Sequence, residues 1–171
     1  PSPRRRMNDR LLLLRGTMPG IGMAVAEACS HRERLRRICS ILSEIPGYDW
    51  VGFYTVDRPG GNRLVLGPFS GAPTEHVSIE FGRGICGRAA ETMQTIMVGD
   101  VGAESNYLSC SPDVRSEIVV PVFFGCELVG ELDIDSHRPD GFSPDDRRFL
   151  EWVAEIAAPS VAGLVRGDDG G

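Results

Sequence analysis

Glu131-Leu132-Asp133-Ile134-Asp135 is the segment of this chain whose residue types and spacing bear most directly on chemistry. On a strand, alternation sends Leu132 and Ile134 to one face and all three carboxylates to the other. The commoner meaning of such a strand is a solvated sheet face. Acids two residues apart repel one another, however, and lysine, the residue usually interleaved to relieve that, is absent from the chain. An enclosed acidic face would instead accept a cation such as an ammonium group, or raise a carboxyl pKa far enough for the group to donate a proton.

The five cysteines offer a second kind of chemistry. Cys110 lies in a polar loop, Ser109-Cys110-Ser111-Pro112-Asp113, where a helical turn starting at Ser111 and Pro112 would aim free N–H groups at the thiol and lower its pKa, with Arg115 adding positive charge. A small hydrophobe in a loop is the plainer meaning, but cysteine prefers burial, so a polar setting favours reactivity. Cys86, in Gly82-Arg83-Gly84-Ile85-Cys86-Gly87, lies at a strand-to-helix transition. Glycines there permit tight turns and close backbone approach, the segment is not taken as a dinucleotide fingerprint, and a buried structural thiol is an equal alternative. Cys39 and Cys29 belong to a helix and read as core filling; Cys126 falls in a hairpin turn and reads as incidental. The scattered His31, His76 and His137 suggest neither a metal cluster nor a Cys-His site.

These residues need elements to hold them, and 171 residues suffice for one domain with a real core. Residues 1–20 show no sustained period and are expected to form a flexible lead, residues 21–166 a single domain, and residues 167–171 a loose tail. Helical spacing of Leu35, Ile38, Cys39 and Leu42 predicts a helix over 23–42, ended by Pro46-Gly47. Strands are expected at Trp50–Val56, Arg63–Pro68 and Glu75–Ile79, a short helix at Cys86–Thr92, and a strand at Thr95–Val98. The polar stretch 100–116 is longer than a simple connection and is a candidate functional loop. Ile118–Phe124 and Glu127–Asp135 then form an antiparallel pair around Gly125-Cys126. Ser143 N-caps a last helix, with Pro144 in its first turn, Phe149, Trp152, Val153 and Ile156 on its core face, and Pro159 kinking or ending it. Terminal helices flanking a largely antiparallel sheet make an α+β domain.

Composition narrows the function classes. A hydrophobic fraction of 42% with 25% charged residues is ordinary for a globular protein, and the longest apolar run, Ile118–Phe124, is interrupted by Pro121 and far too short to span a membrane. A net charge of −6 argues against nucleic acid or anionic lipid as the main partner. All eighteen basic residues are arginine, which removes Schiff-base and P-loop lysine chemistry. An odd cysteine count with no short repeated spacing fits neither a secreted disulfide framework nor a zinc site, Leu11–Leu14 is too short for a signal-peptide core, and the expected location is the cytoplasm.

From about Glu44 to Ala162 the chain resembles the free methionine-(R)-sulfoxide reductases, a family of stand-alone GAF domains. The resemblance rests on Tyr48-Asp49-Trp50-Val51-Gly52-Phe53-Tyr54, Leu66-Gly67-Pro68-Phe69, Phe81-Gly82-Arg83-Gly84-Ile85-Cys86-Gly87, Arg115-Ser116-Glu117-Ile118-Val119 with Pro121, and Leu132-Asp133-Ile134-Asp135-Ser136, in that order. It implies a GAF-type fold, reduction of the R-sulfoxide of free methionine, thioredoxin or a similar dithiol as donor, no metal or organic cofactor, and a homodimer. By motif, Cys110 matches the cysteine that attacks the sulfoxide sulfur and Cys86 one that resolves the oxidised product. Glu117, Asp133 and Asp135 match the pocket acids, and Trp50 and Tyr54 fall on the aromatic strand that would pack on the thioether end. Many members carry a further cysteine where this chain has His76. The rival readings are a non-catalytic GAF ligand-binding module and a thiol redox sensor, which share the fold without turnover.

Overall fold

The computed structural model describes residues 2–57, 59–108 and 111–168. Its elements are α1 (Pro3–Ala26), α2 (His31–Ser43), β1 (Trp50–Val56), β2 (Arg63–Ser70), β3 (Ser78–Glu80), α3 (Gly84–Thr92), β4 (Ile96–Val98), a 3₁₀ turn at Val101–Ala103, β5 (Ser116–Phe124), β6 (Glu127–Ser136) and α4 (Pro144–Arg166). The strands form one six-stranded sheet in the order β3-β2-β1-β6-β5-β4, antiparallel at every described pairing. This is the α+β arrangement expected from the sequence. No helix among the described residues is long and apolar enough to cross a membrane.

Alternation along the central strands sorts two cores. Val51 and Phe53 of β1, Ile118, Val120 and Val122 of β5, and Leu132 and Ile134 of β6 pack beneath α1, α2 and α4 with Leu35, Ile38, Leu42, Phe149, Leu150 and Val153. The other face carries a smaller core of Trp50, Tyr54, Leu64, Ile79, Ile85, Cys86, Ala89, Ala90 and Val119, roofed by α3 and by Val101, Tyr107, Leu108 and Val114 of the connection between β4 and β5.

The expected flexible lead is a helix instead. Pro19, Gly16, Gly20 and Gly22 hide its helical pattern, and what secures α1 is tertiary: Leu14, Ile21 and Ala24 are buried against α2 and α4. Arg10 ties it down, donating to Asp146 Oδ1 at 2.6 and 3.0 Å and to the Pro46 carbonyl at 2.9 Å, with its guanidinium over the Tyr48 ring. The single helix expected over 23–42 is two, because Ser30 opens a new helix by accepting from the Glu33 N–H at 3.2 Å. The third strand is shorter than expected, Ser78–Glu80. Pro159 does not end α4, which runs on to Arg166 and is capped by Gly167 in the left-handed conformation. The tail at 169–171 lies outside the described residues.

At the start of α4 the Ser143 hydroxyl accepts from the Asp146 N–H, and Asp146 Oδ2 accepts from the Ser143 N–H at 2.9 Å and from its hydroxyl at 2.6 Å. Tyr48 donates to Asp146 Oδ1 at 2.8 Å. Burial pushes the Asp146 carboxyl up, but the Arg10 and Ser143 donors more than offset it and hold the group below the ordinary carboxylate range.

Candidate active site

Register converts the acidic alternation of β6 into a two-dimensional patch. Asp135 of β6 lies between Trp50 of β1 and Glu117 of β5, Asp133 between Gly52 and Val119, and Glu131 between Tyr54 and Pro121. Directly opposed residues of an antiparallel pair share a face, so three acids of β6 and Glu117 of β5 crowd one side of the sheet. The expected alternatives are decided by burial: Glu131 and Asp135 are fully buried, Asp133 is 1% exposed and Glu117 4%. The acidic face is enclosed.

Three parts of the chain close it. Trp50 folds its ring over Gly52, where any Cβ would collide with the indole, and stacks on Phe69 with centroids 5.6 Å apart while Nε1 donates to the Ala72 carbonyl at 3.0 Å. Tyr54 donates its hydroxyl to the His76 carbonyl at 2.9 Å, fixing the connection between β2 and β3. Gly84, at φ +63, turns the chain from β3 into α3 and meets the Leu108 side chain, so a larger residue there would push the roof away. Asn106 clamps the same turn, accepting from the Gly84 N–H at 3.3 Å and donating to the Gly82 carbonyl at 2.9 Å. Gly82, Gly84 and Gly87 have the G-x-G-x-x-G spacing, but β3 is an antiparallel edge strand, so the parallel βαβ frame that binds dinucleotides is missing among the described residues.

Cys86, in the first turn of α3, is buried beneath this roof. Its Sγ stands 3.3 Å from Asp133 Oδ2 and 3.8 Å from Glu117 Oε1. The positive end of a helix favours a thiolate by roughly 0.3–1 kcal/mol, under one pKa unit. Burial and the neighbouring Asp133, Glu131 and Glu117 outweigh it and hold the Cys86 pKa well above the usual thiol value. Cys86 therefore rests as a thiol, a poor nucleophile until its proton is taken.

The carboxyls are shifted the same way. Burial, then mutual repulsion, pushes Glu117, Glu131 and Asp135 well above the ordinary carboxylate range. Burial raises Asp133 too, although hydrogen bonding with Cys86 and Glu117 limits the rise to about 7. Both oxygens of Glu131, both of Asp135 and Oδ1 of Asp133 are buried without a hydrogen-bond partner. At neutral pH the patch thus holds protons that it can donate, and it offers acceptors to an incoming cation. Against Cys86 and Glu117, with His76, Arg83 and Leu108 around them, remains a cavity of about 10 Å³, room for roughly one water.

Of the residues singled out from the sequence, the structure brings together Cys86, Glu117, Asp133 and Asp135, with Trp50 and Tyr54 as the adjoining aromatic wall. Cys110 lies outside the described residues; Leu108, two positions before it, packs at the cavity. Cys39 is buried in the helix-side core and Cys126 is exposed at the turn between β5 and β6. Seven residues of strand separate Cys126 from Asp133, on the order of 20 Å. Glu131 was left out of the expected site, although the alternation that marks the two aspartates marks it equally.

The family model "GAF domain" matches residues 30–162. A free methionine-R-sulfoxide reductase of Saccharomyces cerevisiae is 38% identical over 109 residues, 63% of this chain and 60% of that protein, so the match spans under two thirds of the yeast protein. The Escherichia coli free methionine-R-sulfoxide reductase is 36% identical over 117 residues, 68% of each chain. The free methionine-R-sulfoxide reductase of Neisseria meningitidis, solved in complex with its substrate, superposes with a TM-score of 0.84 at 37% identity, covering 92% of this chain and 93% of that one. Matched in sequence over the domain and in structure over nearly its whole length, the chain belongs to the free methionine-R-sulfoxide reductase family of GAF domains.

Proposed function

We propose that the protein reduces free L-methionine (R)-S-oxide to methionine. The observation that carries this reading is the enclosed four-carboxyl face with a thiol at its edge, an environment that suits an ammonium group and protonates a departing oxygen. The relatives bearing this activity by name, and the substrate complex of the Neisseria protein, support the same assignment. In the proposed sequence Cys110 thiolate attacks the sulfoxide sulfur, a carboxyl among Glu117, Asp133 and Asp135 protonates the oxygen, methionine leaves, and Cys110 is left as the sulfenic acid. Cys86 then attacks that sulfur, its proton leaving with the hydroxyl as water, and the Cys86–Cys110 disulfide is reopened by a dithiol such as thioredoxin in the cytoplasm. The free amino acid is preferred because a peptide-bound residue lacks the ammonium. Trp50 packs on the thioether end, the chain works without a bound cofactor, and a homodimer is the proposed assembly.

Incubation with racemic free methionine sulfoxide and dithiothreitol, followed by separation of the remaining diastereomers, tests the reading. Consumption of the R form alone is expected, and no consumption of either overturns it. Cys110→Ser is expected to abolish the reaction. Cys86→Ser is expected to release methionine once per site but not to sustain turnover with thioredoxin, and continued turnover would move the resolving role to another thiol. A redox sensor that uses only its thiols has no need of the buried acids, so a protein that reduces no sulfoxide but forms the Cys86–Cys110 disulfide equally well in Glu117→Gln, Asp133→Asn and Asp135→Asn would favour that reading.

A further inference from the structure

Around Cys86 the ligand atoms have the spacing of a coordination shell. A zinc ion bound to a thiolate at about 2.3 Å and to carboxylate oxygens at about 2.0–2.2 Å in tetrahedral geometry sets sulfur–oxygen separations of about 3.5 Å. Cys86 Sγ lies 3.3 Å from Asp133 Oδ2 and 3.8 Å from Glu117 Oε1, and one ligand atom from each of the three residues falls within 4.8 Å of the others. A separate observation points to the same face of β6: Asp133 Oδ1 is buried and unpartnered, and Glu131, two residues before it on that face, is fully buried with both carboxyl oxygens unpartnered. The cavity against Cys86 and Glu117 has room for about one small occupant.

We infer that the reduced protein binds one thiophilic divalent cation, with zinc as the type, on Cys86 Sγ and the carboxylates of Asp133 and Glu117, with water in the fourth position. The protons held by the Cys86 thiol and by the Glu117 and Asp133 carboxyls are released to solvent as the metal–ligand bonds form, and no electrons are transferred. Magnesium and calcium are excluded by their need for six or more oxygen ligands and by the thiolate. Such an ion would occupy the acidic face and hold the resolving thiol, and this inhibitory consequence, unlike the binding itself, rests on the proposed reductase reading.

Anaerobic titration of the reduced, chelator-stripped protein with Co²⁺ tests the site. One equivalent is expected to saturate a thiolate-to-cobalt charge-transfer band with the intense visible absorption of tetrahedral cobalt, and zinc is expected to displace it. Cys86→Ser should abolish the band, Asp133→Asn should weaken binding about tenfold or more, and Cys126→Ser should leave both unchanged. Absence of saturable binding, or a band that survives in Cys86→Ser, overturns the proposal. Should Cys86→Ser fail to fold, unchanged affinity in both Asp133→Asn and Glu117→Gln overturns it equally. A protein that binds cobalt as described but reduces no sulfoxide keeps the metal site and loses the reductase reading, whereas an active enzyme without cobalt binding does the reverse.

Discussion

Asp146 and Asp133 are both about 1% exposed, yet the protein treats the two carboxyls in opposite ways. Asp146 receives Arg10, Tyr48 and Ser143 on its two oxygens and sits below its ordinary pKa. Asp133 has a neighbouring thiol and another acid, keeps one oxygen unpartnered and sits far above it. A buried charge that serves the fold is given donors, because an unpaired one costs several kcal/mol. Acids left without donors destabilise the fold unless protonated, and the proposed binding of a substrate ammonium would offset that cost.

The largest effect expected from breaking the comparison is on activity. Glu117→Gln, Asp133→Asn and Asp135→Asn should each lower kcat/KM for free methionine-R-sulfoxide by about 10²–10³-fold, while thermal unfolding shows a Tm no lower than wild type. A lowered Tm with normal kinetics would make these acids structural, like Asp146. Next, Asp146→Ala should cost about 2–4 kcal/mol in urea unfolding, since it removes the carboxylate half of the capping box at the start of α4 and strands the Tyr48 hydroxyl and the Arg10 guanidinium, with turnover per folded molecule unchanged.

The pH dependence of stability separates the two kinds of acid by sign. Asp146, depressed in the folded state, contributes stability that is present above the ordinary carboxylate range and lost as pH falls through its folded pKa. Asp133, raised to about 7, does the reverse: its contribution is complete below the ordinary range and is lost as pH rises toward 7 and beyond. Unfolding curves across pH should therefore show Asp133→Asn gaining on wild type as pH rises, and Asp146→Asn losing least at low pH. The smallest expected effect is that of Arg10→Ala, about 1–2 kcal/mol, because Ser143 and Tyr48 remain on Asp146.

How much of this was legible in the sequence depends on the range of the interaction. Two-residue alternation in 131–135 was enough to place three carboxyls on one face, and the turn at Gly125-Cys126 was enough to pair β5 with β6, whereas the long-range pairing of β1 with β6 that sets the sheet order was not legible. Whether that face was wet or closed was not legible, because α3 and the 99–115 connection close it from other parts of the chain. Ser143 announced the start of α4, but the partner of Asp146 is Arg10, 136 positions away. The helix carrying Arg10 was hidden by its own prolines and glycines, and only packing on α2 and α4 reveals it. Cys86 gave an ambiguous local signal; its meaning comes from Asp133 and Glu117, 47 and 31 residues distant.

β6 lies in the middle of the sheet, hydrogen-bonded to β1 on one side and β5 on the other. Amide protons along Glu131–Asp135 are therefore held by ladders that open only when the whole sheet does, so their exchange with deuterium should track global unfolding. The roof is built differently: beside α3, the described residues Tyr107 and Leu108 lie in a connection that is neither helix nor strand. Because the remaining cavity is about the size of one water, the proposed reading requires the connection at Tyr107 and Leu108 to yield to an amino acid while the floor stays rigid, and a deuterium-exchange map is expected to divide the pocket along that line.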